Sequence, residues 1–402
     1  MFSNAPLPYS VLLEAKSLDS GGLEQVVATL ALSLKTRGSP VGVAVTRPGG
    51  RLADYCSTHG VPVRQLCGSQ CLLARLAQTG VPHVLMPHYS PTGTPLAASL
   101  GLPVISVIHN SYLWADAEEH AMWRQLDRYT THYIAVSRKT QDYFCAKYCV
   151  PSAKVTVVPN GLDLPRCSSA LVSSPNTTRS TLGLTDADVV LLCVAAITRV
   201  KAQLHLLAAL RHLIPRHPQL RLLFVGPVLD HTYHSYLRRY VSECALTAHV
   251  RFVPHSTNIF DFYRLADIFA LTSLTEGWSL AMTEAMLAGL PLLLTDVGGS
   301  GDALAASRSG ILLPPAYSDP LAVDALALQR LALLSKPDNL ADIVSGLETL
   351  LHALPVWRAQ AQTAAAAVRH SYSADSMTDN YCAVIAGTLT ISPRPYRPAV
   401  PI

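Results

Sequence analysis

At 402 residues, half of them hydrophobic and only 14% charged, the chain is too apolar for a disordered polymer and longer than one core usually organises, so two domains are expected. The net charge of +4 is a weak basic excess, without the concentrated basic stripe of a nucleic-acid binder. Nine irregularly spaced cysteines, several inside apolar runs, read as reduced thiols of a cytoplasmic protein. Neither Cys67/Cys71 nor Cys145/Cys149 has a His or Cys partner at zinc-like spacing, so no metal site is expected. The first ten residues lack a charged segment followed by an apolar one, and no run reaches the roughly 18 to 20 apolar residues that span a bilayer. Any membrane association is therefore expected to be peripheral, at the inner face.

Along the chain, strand-like apolar runs alternate with helical patterns, as in parallel α/β domains. The run 11–15 reads as a first strand, followed by a Ser20-Gly21-Gly22 turn and then Leu23, Val26, Val27, Leu30 and Leu34 at helical spacing. Further strands are expected at 41–45, 83–86, 104–108, 133–136 and 155–158, ending at the turn Pro159-Asn160-Gly161. Residues 1–165 thus make an N-terminal domain. The stretch 166–180, rich in Ser, Asn and Thr, reads as a linker. A second alternation fills 181–370, with strands at 189–196, 220–225, 250–253, 268–271 and 290–295. Residues 371–388 carry Met377, Tyr381, Val384 and Ile385 at helical spacing, and the proline-rich 389–402 is expected to be an extended tail. The fold class is α/β: two doubly wound parallel-sheet domains facing a cleft.

The most informative segment runs from Glu276 to Glu284, two acids eight apart across the junction of a buried strand and a short helix closed by Gly289. Glutamate is scarce, eight in the whole chain, so two at one strand-to-helix crest are not what a solvated charged face would supply. Between them the backbone amides of Gly277, Trp278, Ser279 and Leu280 are helix-start donors suited to a diphosphate. Acid, amide nest and second acid in that order suit a nucleotide sugar: Glu276 for sugar hydroxyls, the amides for phosphate, Glu284 for ribose hydroxyls. Lys201, just after the first strand of the second domain, is placed to meet a diphosphate leaving group. Asp186-Ala187-Asp188 has the form of a metal-binding D-x-D but precedes a strand, the wrong edge of the sheet, and reads as a solvated turn. The helix bearing Trp123, Arg124 and Arg128, with Arg138, Lys139 and Lys147, is either a lipid-facing patch or, more simply, solvated helix faces.

Taken together, Gly21-Gly22 before a helix, Ile108-His109-Asn110, Ala135-Val136-Ser137, Val157 through Asp163, Lys201 and the E-x7-E element with Gly298-Gly299 resemble glycosyltransferase family 4. The resemblance spans about residues 10 to 388. It implies a retaining, nucleotide-sugar-dependent enzyme with two Rossmann-like domains, the GT-B fold, donor on the second domain and acceptor on the first. It further implies that Gly21 and Gly22 approach the donor phosphates or sugar and that His109 lies beside the transferred sugar; His88, after another strand, competes for a role near the acceptor. The family's pattern places an Arg five residues before the Lys, where this chain has Ala196, leaving Arg199 as the nearby substitute, and a glycine after the Lys, where it has Ala202. The implied reaction needs no metal or other cofactor: charge on the departing diphosphate is met by helix amides and cations, and no carboxylate stands out as a covalent nucleophile, so front-face attack is expected. Expected partners are a nucleoside diphosphate sugar and a glycan or lipid-linked acceptor. The alternatives are a nucleotide-sugar epimerase of the same fold and a non-catalytic sugar-nucleotide-binding subunit. A nicotinamide-dependent dehydrogenase is disfavoured, since no G-x-G-x-x-G follows either first strand.

Overall fold

The computed structural model describes residues 7, 9–66, 83–253, 256 and 258–391. The chain divides into two compact units, the first comprising 1–110, 117–161 and 374–402, the second 111–116 and 162–373. Each is built on its own parallel sheet.

In the first unit the strands are β1 (Val11–Ala15), β2 (Val41–Val45), β3 (Val63–Gln65), β4 (Val84–His88), β5 (Ile105–Ile108), β6 (His132–Ala135) and β7 (Val155–Val157), in the order 3-2-1-4-5-6-7 and parallel throughout. The strands β4 and β5 are buried along their whole length, which is why they are mostly apolar on both faces and lack the polar/apolar alternation of a half-exposed strand. The direction in which successive strands are added to the sheet reverses between β1 and β4, the place where open α/β sheets bind ligands. The helix Gly22–Thr36 covers one face with Val26, Val27, Leu30 and Leu34, the residues whose 3.6-residue spacing predicts it. The C-terminal helix Ala374–Ile391 packs beside it: Arg37 donates to the Asp375 carbonyl at 2.9 Å and pairs with Asp379, and Tyr381 is fully buried.

In the second unit β8 (Val189–Val194), β9 (Leu220–Val225), β10 (Val250–Val253), β11 (Ile268–Leu271), β12 (Leu292–Thr295) and β13 (Gly310–Leu313) run parallel in the order 10-9-8-11-12-13, with the switch between β8 and β11. The short edge strands β3 and β13 are not expected from the sequence, because three- and four-residue segments carry too little pattern.

Three expectations need correction. Within 166–180 the chain is not a free linker: Leu164–Val172 is a helix, capped by Asp163, whose carboxylate accepts from the Arg166 amide at 3.2 Å, with Pro165 in its first turn. Arg264 donates to the Leu171 carbonyl at 2.9 Å, and Asp261 accepts from the Asn176 and Thr177 amides at 2.9 and 3.0 Å, tying the segment to the second unit. The Asp-Leu-Pro start is a cap-and-proline signal that the polar composition downstream obscured. Asp188 is buried and paired with Arg221 at 2.8 Å while accepting from the Thr185 amide at 2.7 Å, so its turn is a packed structural corner. Trp123 is 3% exposed, edge-on to Phe144 at 6.1 Å, and belongs to the core and not to a lipid-facing patch. The C-terminal helix continues to Ile391; residues 392–402, like Cys67 and Cys71, lie outside the described residues. Among the described residues no helix is long and apolar enough to cross a membrane.

Candidate functional site

In the second unit, β8 ends and a single turn, Arg199–Lys201, carries two cations to the switch point. The amide of Leu274, beyond β11, donates to the Val200 carbonyl at 2.8 Å, and Thr272 Oγ1 donates to the Ala202 carbonyl at 3.2 Å. These bonds hold the two post-strand loops together. Ala202, at the family's glycine position, has φ 45° and ψ 43°, the left-handed conformation that costs an alanine about 1 to 2 kcal/mol; the turn keeps its shape despite the missing glycine.

Lys201 and Glu276 thereby meet. Lys201 Nζ lies 2.6 Å from Glu276 Oε1, which also accepts from Ser273 Oγ at 2.7 Å, and the Glu276 side chain is 9% exposed. Eight residues on, Glu284 Oε2 accepts from the Tyr263 hydroxyl at 2.7 Å. Although Glu284 keeps part of its surface open, burial of the carboxyl pushes it up to about 7, against the lowering effects of the Tyr263 hydrogen bond and of Arg166. The helix Leu280–Leu287 starts between the two acids, and the Ser279 hydroxyl caps it by accepting from the Met282 amide at 3.2 Å. Trp278 turns its ring inward, 4.7 Å from Tyr372, with Nε1 donating to Thr283 Oγ1 at 3.0 Å.

Gly298 and Gly299 support that loop. The Gly299 amide donates to the Gly277 carbonyl at 2.7 Å. Gly298 has φ 54°, and a Cβ there would strike the Glu276 and Gly277 carbonyls; one on Gly299 would strike the Trp278 ring. Gly298→Ala should therefore destabilise the protein by about 2 kcal/mol or more through combined strain and clash, read as a lower urea midpoint; an unchanged midpoint would show that the loop yields freely.

Arg199 goes elsewhere, pairing with Asp230 Oδ2 at 3.1 Å, while Asp230 also caps the helix His231–Glu243. Ala196, at the family's Arg position, accepts from Gln203 Nε2 through its carbonyl at 2.8 Å. Of the two cations on this turn, Lys201 alone meets Glu276.

In the first unit, Gly21 stands at the N-cap of the helix Gly22–Thr36, both glycines are exposed, and beyond the neighbouring residues and the helix's own backbone no described atom lies within 4 Å of where a Gly22 side chain would start. The carboxylate of Glu24 folds back beside Gly21 and accepts from Ser17 Oγ at 3.1 Å. His109 follows β5, and His88 closes β4. The register pairs His88 with Val107, so His109, two residues beyond, projects on the same side of the sheet; His88 Nδ1 and His109 Nε2 are 2.8 Å apart. Burial lowers both imidazoles, His109 to about 3. His88, fully buried, backs His109 and offers no open surface of its own.

Two residues beyond the sequence reading join these clusters. Glu14, fully buried in β1, accepts from the Gly93 amide at 3.0 Å and from Ser90 Oγ at 3.3 Å, clamping the loop that begins one residue after His88. Its signal was an acid inside the apolar run Val11–Ala15. Tyr263, which orients Glu284, carries no such signal, because only the packing brings it there. Among the described residues no group of His, Cys, Asp and Glu is arranged to hold a metal ion.

Two parallel-sheet α/β units, each with polar groups gathered at its switch point, define a GT-B protein. Residues 176–342 match the family described as glycosyl transferases group 1, and residues 20–166 match glycosyltransferase family 4. Together the two matches take in more than three quarters of the chain, which belongs to glycosyltransferase family 4. Curated relatives include D-inositol 3-phosphate glycosyltransferases from Rhodococcus opacus (strain B4), 30% identical over 53% of this chain and 47% of the relative, and from Corynebacterium jeikeium (strain K411), 25% identical over 75% and 83%. The first curated relatives are matched over about half of their length. Among solved structures, Anabaena HepE in complex with UDP aligns with a TM-score of 0.75 at 20% identity over 94% of this chain and all of that one. Sucrose-phosphate synthase from Thermosynechococcus elongatus aligns with 0.76 at 17% over 95% and 100%. At such identities the likeness shows the fold.

Proposed function

We propose that the chain transfers a sugar from a nucleoside diphosphate sugar to a hydroxyl of a glycan or lipid-linked acceptor, with retention of anomeric configuration and without a metal. The observation that carries this reading is the Lys201–Glu276–Ser273 cluster at the β8/β11 switch point, beside the helix start that leads to Glu284. In this assignment Glu284 takes the ribose hydroxyls and the amides of Gly277 to Leu280, with Lys201, take the diphosphate. Glu276 takes hydroxyls of the sugar, whose transfer frees Lys201 to follow the departing phosphate. His109 and the Gly21-Gly22 turn are assigned to the transferred sugar and the phosphates. The departing phosphate accepts the acceptor's proton in a front-face attack, so rate enhancement rests on positioning and charge stabilisation. Support from relatives is of two kinds: HepE was crystallised with UDP and with UDP-glucose, and the curated relatives are named for glycosyl transfer to D-inositol 3-phosphate.

Thermal unfolding against a panel of nucleoside diphosphate sugars tests donor binding. At a hundredfold excess over Kd the true donor should stabilise by about 2.7 kcal/mol, a rise of about 2 to 4 °C; no response to any member would overturn the reading. One observation favours a rival: Arg199 is held by Asp230, so of the two cations on the Arg199–Lys201 turn only Lys201 is left to the diphosphate. A non-catalytic sugar-nucleotide-binding subunit would show the thermal shift yet neither transfer nor donor hydrolysis.

A further inference from the structure

The geometry points to His88 as a positioning residue that fixes the proton of His109 on Nδ1, making His109 a hydrogen-bond donor to an oxygen of the sugar substrate. This rests on the donor-site reading of His109 given above. Three observations carry it: the 2.8 Å approach of His88 Nδ1 to His109 Nε2, the complete burial of His88, and the lack of a hydrogen-bond partner for His88 Nε2 among the described residues.

Burial keeps both rings neutral at neutral pH, so each carries one proton and the shared contact holds one. Were His109 the donor through Nε2, the proton of His88 would sit on its sealed Nε2, a buried N–H with no acceptor. Buried donors left unpaired are rarer in folded proteins than under-used acceptors. With His88 donating from Nδ1, only a lone pair is sealed in, and His109 must carry its own proton on Nδ1. The sheet enforces the arrangement: His88 is the last residue of β4, level with Val107, and the rings lie tilted at 32° with centroids 5.0 Å apart. Glu14 clamps the loop that leaves His88, so the pair is held from the strand on one side and the loop on the other. A ring proton on Nδ1 makes that nitrogen a donor toward a hydroxyl or ring oxygen and removes it as a proton-abstracting base, in keeping with the leaving phosphate serving as base.

Nitrogen-15 NMR of the full chain with labelled histidine reads the tautomer directly, His109 being assigned from the signals lost in His109→Gln. The expected result is a protonated Nδ1 and an unprotonated Nε2 at neutral pH; a protonated Nε2 overturns the inference. In His88→Asn, whose amide N–H can replace the ring donor, the Nδ1–H form should persist, and in His88→Phe it should give way to Nε2–H. Transfer assays should follow: kcat lower by about tenfold in His88→Phe, equivalent to one lost orienting interaction, with donor KM nearly unchanged and recovery in His88→Asn. Equal kcat in all three proteins overturns the positioning role. If His88→Phe fails to fold, the parent spectrum and His88→Asn decide alone. A correct tautomer in a protein that transfers no sugar would overturn the functional reading and leave the proton assignment standing.

Discussion

Lys201→Ala is expected to lower sugar transfer about 10²- to 10³-fold, the usual effect of deleting one charge contact to a developing anion. The same substitution leaves the Glu276 carboxylate, 9% exposed, with Ser273 as its remaining described partner, and stranding one member of a buried pair costs about 3 kcal/mol. The two effects separate in the double variant. Lys201→Ala with Glu276→Gln removes the stranded charge, so the urea midpoint should return most of the way while the rate stays low. Steady-state kinetics with saturating donor, alongside denaturation of both variants, supplies the measurement. Near-parent turnover in Lys201→Ala and in Glu276→Ala would defeat the assignment of roles at this cluster.

Glu14→Gln is expected to flatten the pH dependence of stability. Burial pushes the Glu14 carboxyl up to about 8, against the lowering effects of hydrogen bonds from Gly93, Ser90 and Thr92, whereas in the unfolded chain it titrates near 4.5. Between these values the folded protein holds a proton that the unfolded chain has released, so stability falls as pH rises. The stability that the neutral carboxyl allows is complete below about 4.5 and is lost through about 8. Across pH 5 to 8.5 the difference between parent and variant should reach about 4 kcal/mol in favour of the variant, with other titrating groups common to both. Equal pH slopes in urea unfolding would show that Glu14 is charged in the native protein. The consequence reaches the site, because Glu14 clamps the loop beginning beside His88; above pH 8 that clamp holds a buried charge.

Much of this molecule is legible in its residues, for reasons that differ by element. A buried parallel strand such as Ile268–Leu271 is apolar on both faces, so it is a continuous run bounded by polar turns. The helix Gly22–Thr36 shows one apolar stripe because one face is covered. The E-x7-E element is visible because a strand-to-helix junction is local in sequence: its two acids and the helix start lie within nine residues. Chain order alone also placed Lys201 and Glu276 after β8 and β11.

What local pattern could not determine is which side chains meet across long stretches of chain. Arg199 and Lys201 are two residues apart and equally charged, yet one turns to Asp230 and the other to Glu276. His88 and His109 look like rivals for one role until the β4–β5 register places them on the same side, 2.8 Å apart. Gly298 and Gly299 enter the sequence reading only through the family resemblance, and their necessity comes from carbonyls and an indole ring some twenty residues earlier. Periodicity and turn chemistry act between near neighbours, and they settled the elements, their order and the switch-point positions. Pairing, tautomer and the neutrality of Glu14 depend on burial and on partners that only the closed sheet brings within hydrogen-bonding distance.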